Sequence, residues 1–136
     1  MKFDTKIAVV LREDLAQWQK LNVTAFMVSG IAATVPGITG EAYEDATGNR
    51  YLPMLVQPVL VFAANAGDIR GAYERAMDLQ ATIAIYPQEL FKTGFDAANR
   101  AAVKAVGRRD LDLAGLALRA DKKIADKILK GLQLHP

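Results

Sequence analysis

The chain has 136 residues, 51% of them apolar and 24% charged, with a net charge of +2. That is enough for one domain with a real core, too short for two ordinary domains, and too apolar for a disordered chain. The absence of cysteine excludes a disulfide frame, a thiol nucleophile and a thiolate metal site.

The first six residues, Met1 to Lys6, include Asp4, and the apolar run after them is too short for a signal-peptide core. No apolar run reaches the roughly 18–20 residues of a membrane span. The expectation is a soluble, cytoplasmic protein with no membrane partner. Its charge is uneven. Residues 1–91 carry seven Lys/Arg against ten Asp/Glu, a net of −3, while residues 92–136 carry ten against five, a net of +5. The basic last third either meets an anionic partner such as RNA or forms solvated helix faces.

Lys6 to Leu11 is short, β-branched and nearly charge-free, which predicts a buried strand ended by Arg12-Glu13-Asp14. A helix is expected from an N-cap at Asn22, with Val23, Phe26, Met27, Gly30, Ile31, Thr34 and Val35 at helical spacing, stopped by Pro36-Gly37. Residues 36–53 show no sustained period. Within them Asp45-Ala46-Thr47-Gly48-Asn49 is turn chemistry: aspartate closes an Asx-turn and glycine supplies a positive φ. So long a connection is either a functional excursion or an ordinary surface loop.

Val59 to Ala64 reads as a second buried strand with Pro58 at its entrance, followed by a helix capped by Asp68. Thr82 to Tyr86 is the third strand, ended by Pro87. Thr93-Gly94-Phe95-Asp96 resembles a capping box opening a helix to Val106. Leu111 to Leu118 is the fourth strand. Asp112 and Gly115 interrupt its apolar run and point to a sheet edge. Asp121 caps a last amphipathic helix. This order predicts an α/β protein, a three-layer α/β/α sandwich around a four-stranded mixed, mostly parallel sheet.

Familiar catalytic patterns are missing. No glycine-rich loop follows strand one, His135 is the single histidine, and Ser29 is the single serine. These absences leave no metal site and no cofactor to expect. What remains is a set of polar residues at strand ends: Arg12 and Asp14 after strand one, Asn65 and Asp68 after strand two, Gln88, Glu89, Lys92 and Thr93 after strand three. Parallel strands would bring them to one rim, where open α/β sheets bind ligands. Arg12 and Asp14 either form a local ion pair or hold each other's geometry at a site.

The run Ile7 to Leu11 followed by Arg12-Glu13-Asp14-Leu15 and an apolar helix resembles the opening of the type II peptidyl-tRNA hydrolases. In that family Arg-x-Asp-Leu precedes a helix begun by lysine and bearing Gln-Cys-x-His. Here Asn22 stands at the lysine position, and Phe26, Met27, Val28 and Ser29 replace the second motif. The resemblance therefore implies the fold rather than the hydrolysis. Leu21-Asn22, Asp45-x-x-Gly48-Asn49-x-Tyr51, Pro58 and Phe91-Lys92-Thr93-Gly94 resemble a family of unknown function, DUF2000, expected to share that fold.

The expected function is non-hydrolytic binding of a small anionic ligand, or assembly, in a homo-oligomer. Oligomerisation is what the resemblance implies. The ligand residues expected are Arg12, Asp14, Asn22, Asp45, Asn49 and Thr93, with free N–H groups near Asn22 drawing the anion. One alternative is an ester or amide hydrolase in which Asp14 orients water and Asn22 supports an oxyanion. Another is RNA binding through the basic last third.

Overall fold

The computed structural model describes residues 2–136. Five strands form one sheet in the order β5-β6-β1-β4-β7, where β1 is Thr5–Arg12, β4 Val59–Ala64, β5 Ile83–Pro87, β6 Leu113–Asp121 and β7 Gln133–Leu134. Two further short strands, β2 (Tyr43–Glu44) and β3 (Arg50–Tyr51), pair only with each other. The expected four-stranded, mostly parallel sheet is therefore corrected. β1 and β4 are the sole parallel pair among the described residues, and β6 runs antiparallel to both β1 and β5. Directions propagate through β6, so β1, β4 and β5 still point the same way. Their ends, with the start of β6, make one rim.

Four helices pack around the sheet: α1 (Gln17–Thr34), α2 (Ala66–Asp78), α3 (Asp96–Lys104) and α4 (Lys122–Ile128). Alternation along β1 sends Ile7, Val9 and Leu11 to one core with Val23, Met27 and Ile31 of α1, and Ala8 and Val10 to the other with α2 and α4. Both faces are covered, which is why β1 reads as an unbroken apolar run.

The expected edge strand lies inside the sheet, between β5 and β1, with Leu113 to Leu118 buried. Gly115 is a point of close approach, not a weak spot. A Cβ there would stand 2.8 Å from both Met27 Cε and Val23 Cγ1 and 3.2 Å from the Val10 carbonyl oxygen. The pairing slips at Tyr86/Pro87, so Ala114 and Gly115 both turn toward α1. Asp112 lies before the strand, at the rim.

Helix starts also differ from expectation. α1 begins at Gln17, and Asn22 sits inside it. Ala16 holds the cap position, where its backbone N–H donates to Gln19 Oε1 at 2.9 Å. α2 is capped by Asn65, whose side chain accepts from the Asp68 N–H. α3 has no side-chain cap, because Thr93 bonds elsewhere and Phe95 stands at the cap position. Asp121 does stand at the start of α4, without a side-chain cap bond.

Residues 38–56 leave the sheet as a two-stranded arm. Its ladder runs from Val56 N to Ile38 O at 3.0 Å, through Gly40 N to Met54 O at 3.1 Å, to Asp45 N with Asn49 O at 3.0 Å. At the tip Asp45 Oδ1 accepts from the Thr47 and Asn49 N–H groups, closing the Asx-turn, and Gly48 has φ 95°. No helix of the described residues is long and apolar enough to cross a membrane.

Candidate functional site

At the rim, the Arg12 guanidinium uses four of its five N–H groups. Its Nε and Nη2 donate to the two Asp14 oxygens at 3.1 and 2.9 Å, and Nη1 donates to Asp112 Oδ1 at 3.0 Å and lies 3.4 Å from the Leu113 carbonyl. The side chain is only 13% exposed. The bonds to Asp14 raise the guanidinium pKa above its ordinary value and hold the Asp14 carboxyl below its own. The planar fork meets one carboxylate bidentately and a second from the next strand, tying β1 to the start of β6. An adjoining polar cavity is lined by this cluster together with Gln19, Gln88, Glu89, Phe91 and Lys92. Its carboxylates, Asp14, Glu89 and Asp112, outnumber its cations, Arg12 and Lys92.

Across Phe91 lies a second cleft of about 480 Å³, between α1, the 3₁₀ turn Gln88–Lys92 and the start of α3. α1 supplies Trp18, Asn22 and Phe26, four residues apart and hence in one stripe. β5 supplies Tyr86, and the following segment supplies Phe91 and Phe95. Five of the ten aromatic residues of the chain thus line one cleft. They are locked edge to face: Trp18 with Phe91 at 6.2 Å, Phe26 with Tyr86 at 5.9 Å, and a tilted Tyr86–Phe91 contact at 5.1 Å between ring centroids. Trp18, Phe26 and Phe95 nevertheless remain more than half exposed.

Polar groups converge on these rings. Burial pushes the Tyr86 phenol above its ordinary pKa, and the Asn22 amide beside it pulls in the other direction. The Thr93 hydroxyl lies against the Asn99 side-chain oxygen and 3.0 Å from the Leu90 carbonyl. Asp96 accepts from Arg100 at 2.8 Å.

Of the residues singled out from sequence, Arg12 and Asp14 share the rim, and Asn22 and Thr93 share the aromatic cleft. Asp45 and Asn49 line neither cavity. They bond each other in the arm tip, where Tyr51 Oη also donates to Asp45 Oδ2 at 2.7 Å. The N-terminal anion site expected at Asn22 has no basis, since α1 starts a full turn earlier. Trp18, Tyr86, Phe91, Phe95 and Asn99 were not anticipated, although the Trp18-Asn22-Phe26 stripe is readable in the sequence. In the basic last third, Arg100 and Arg108 are engaged with Asp96 and Glu74. No group of three or more His, Cys, Asp or Glu side chains that could hold a metal occurs among the described residues.

An open α/β sheet with a ligand-sized aromatic cleft beside its rim defines the class. The chain belongs to a family described as a protein of unknown function, DUF2000, whose model matches residues 5–136. It is similar to a solved structure of Atu0240, a protein of unknown function from Agrobacterium tumefaciens str. C58. The two share 49% sequence identity with a TM-score of 0.97, over 99% of this chain and 100% of that one. No curated protein matches the chain.

Proposed function

We propose that this protein binds a small, planar, uncharged molecule with an amide-like edge, and does so without hydrolysing it. The observation that carries this reading is the cleft itself: five aromatic side chains around a ligand-sized space, with the amides of Asn22 and Asn99 and the Thr93 hydroxyl at its edge. Ring faces supply apolar contact, and an amide offers one donor and one acceptor to a matching edge. The charge of the neighbouring rim disfavours an anion, because three carboxylates there face two cations and Arg12 is already paired with Asp14 and Asp112.

The strand-end carboxylate is a poor hydrolytic base. Asp14 is held ionised by Arg12, so it accepts a proton poorly near neutral pH. We read the Arg12-x-Asp14 strand end as the element this chain has in common with the type II peptidyl-tRNA hydrolases, kept here to pin β1 to β6. On that reading the two share a sandwich but not a reaction.

Trp18 is the only tryptophan, so its emission reports the cleft directly. Titration with benzamide, nicotinamide and uracil should change that emission, with benzoate binding more weakly. Asn22→Ala and Asn99→Ala should lose the response while keeping the far-UV spectrum. No response to any ring compound in the folded protein would overturn the proposal. Release of the peptidyl group from a blocked aminoacyl-tRNA, abolished by Asp14→Ala, would replace it with the hydrolase reading.

A further inference from the structure

α1 carries a single charge, Lys20, in eighteen residues. A helix with so little charge and with apolar side chains on several faces is normally covered on more than one of them. One face packs on the sheet through Val23, Met27 and Ile31, and one flank forms the aromatic cleft. The remaining flank, with Leu21, Ala25 and Val28, opens into a groove of about 670 Å³ whose far wall is Val59 and Val61 of β4. β7 pairs with β4 at Phe62 and Ala63, and the His135 N–H donates to the Val61 carbonyl at 2.9 Å, so the outer edge of β4 lacks a strand partner among the described residues at its start, Val59 and Leu60. Such an edge invites pairing with another strand.

The arm has the opposite problem. Every residue from Thr39 to Met54 is exposed, Leu52 by 84% and Met54 by 59%. A lone two-stranded ribbon is marginally stable in water. At about 3.3 Å per residue, it stands roughly 25 Å long. Yet Tyr43, Tyr51, Leu52, Pro53 and Met54 form a continuous apolar wall along it. No arm residue lines the groove of its own chain.

We propose that two copies of this chain clasp each other reciprocally, the arm of each lying with Leu52 and Met54 in the groove of the other. Each copy supplies one arm and one groove, which is the self-complementarity a two-fold dimer requires. Charge agrees. The arm holds Glu41, Glu44 and Asp45 against Arg50, whereas the groove is lined by Lys20, its ammonium 3.0 Å from His135 Nε2, and by no acidic side chain. The exposed arm residues with Leu21 amount to several hundred Å² of apolar surface, comparable to the roughly 800 Å² per partner of a standard interface.

Sedimentation at tens of micromolar should give the wild type twice its 14.8 kDa chain mass. Leu52→Glu and Ala25→Glu, both at exposed positions, should each give single chains with intact secondary structure. The chain has no cysteine, so a Leu52→Cys/Ala25→Cys double variant provides a clean crosslink. On oxidation it should run as a covalent dimer on a denaturing gel, while each single variant stays uncrosslinked. A monomeric wild type would overturn the proposal and leave the groove to another occupant. So would dimers that survive both glutamate substitutions, or crosslinks confined to the single variants.

Discussion

The sheet and the arm are both built from paired strands, and they are held by different means. In β1 the residues from Ile7 to Leu11 are buried, and the strand is fixed by burial on two faces and by neighbours on two edges. In the arm nothing is buried beyond its root at Ile38, and the pairing is organised around one carboxylate at the tip. Burial makes a strand pair intolerant of shape change, because every added atom meets another. A local hydrogen-bond cluster makes it tolerant of shape and sensitive to chemistry. Substitutions in the two regions should therefore differ in size and in kind.

The largest effect belongs to Gly115→Val. The branched side chain enters space already held by Met27, Val23 and the Val10 carbonyl, and it should cost about 1–3 kcal/mol or more. Chemical denaturation would measure it. A neutral outcome would mean that α1 can lift from β6, and the contrast with the arm would weaken. Arg12→Ala sits at the seam and comes next. Removing the guanidinium leaves Asp14 and Asp112 without their partner, but both carboxylates are more than half exposed and water solvates them, so the cost should be about 1 kcal/mol. It should also alter the acid limb. Asp14 has a lowered folded pKa, so its contribution is present above its unfolded pKa and is lost as pH falls through the folded value. The variant should lose that part of its acid sensitivity, read as a flatter melting temperature below about pH 4.

Asp45→Ala should have the smallest global effect and the clearest local one. Hydrogen bonds from Tyr51 and Asn49 lower the Asp45 carboxyl from 3.8 to about 2. Its hold on the tip is complete above pH 3.8 and is lost as pH falls toward 2. In the wild type, the protection of the Thr47 and Asn49 amides relative to their intrinsic exchange rate should fall in that window, and Asp45→Ala should remove it at neutral pH as well. The melting of the sheet should stay unchanged in that variant. A joint collapse of arm and sheet would erase the distinction between them.

Much of the sheet was legible because burial on both faces writes an unbroken apolar run, as in β1, β4 and β5. The turn at Asp45 to Asn49 was legible because its chemistry is local. β6 was misjudged for the same reason in reverse: Gly115 and Asp112 look like interruptions, and only the packing of α1 and the reach of Arg12 give them a purpose. The start of α1 was hidden because Ala16 carries no capping side chain and Gln19 supplies the bond from within the helix. β2, β3 and β7 are two residues each, below any periodic signal. At the candidate site, Arg12 and Asp14 stood out as charges ending an apolar strand. The aromatic cleft did not, since it assembles residues from Trp18 to Asn99 that lie apart in the chain.

The pairing of β1 with β6 has a consequence in time. Thr5 meets Asp121 and Leu11 meets Gly115, partners separated by more than a hundred residues. As the chain is synthesised from its N-terminus, the most apolar strand emerges first and finds its central neighbour almost last. Until then one edge of β1 is open, and the core beneath α1 lacks Ala114 and Ala117. Such long-range closure slows folding and lengthens the interval in which a nascent strand can pair with the wrong chain. A ribosome-bound chain halted before residue 113 should therefore remain protease-sensitive throughout, and protection should appear in a single step once β6 has cleared the exit tunnel.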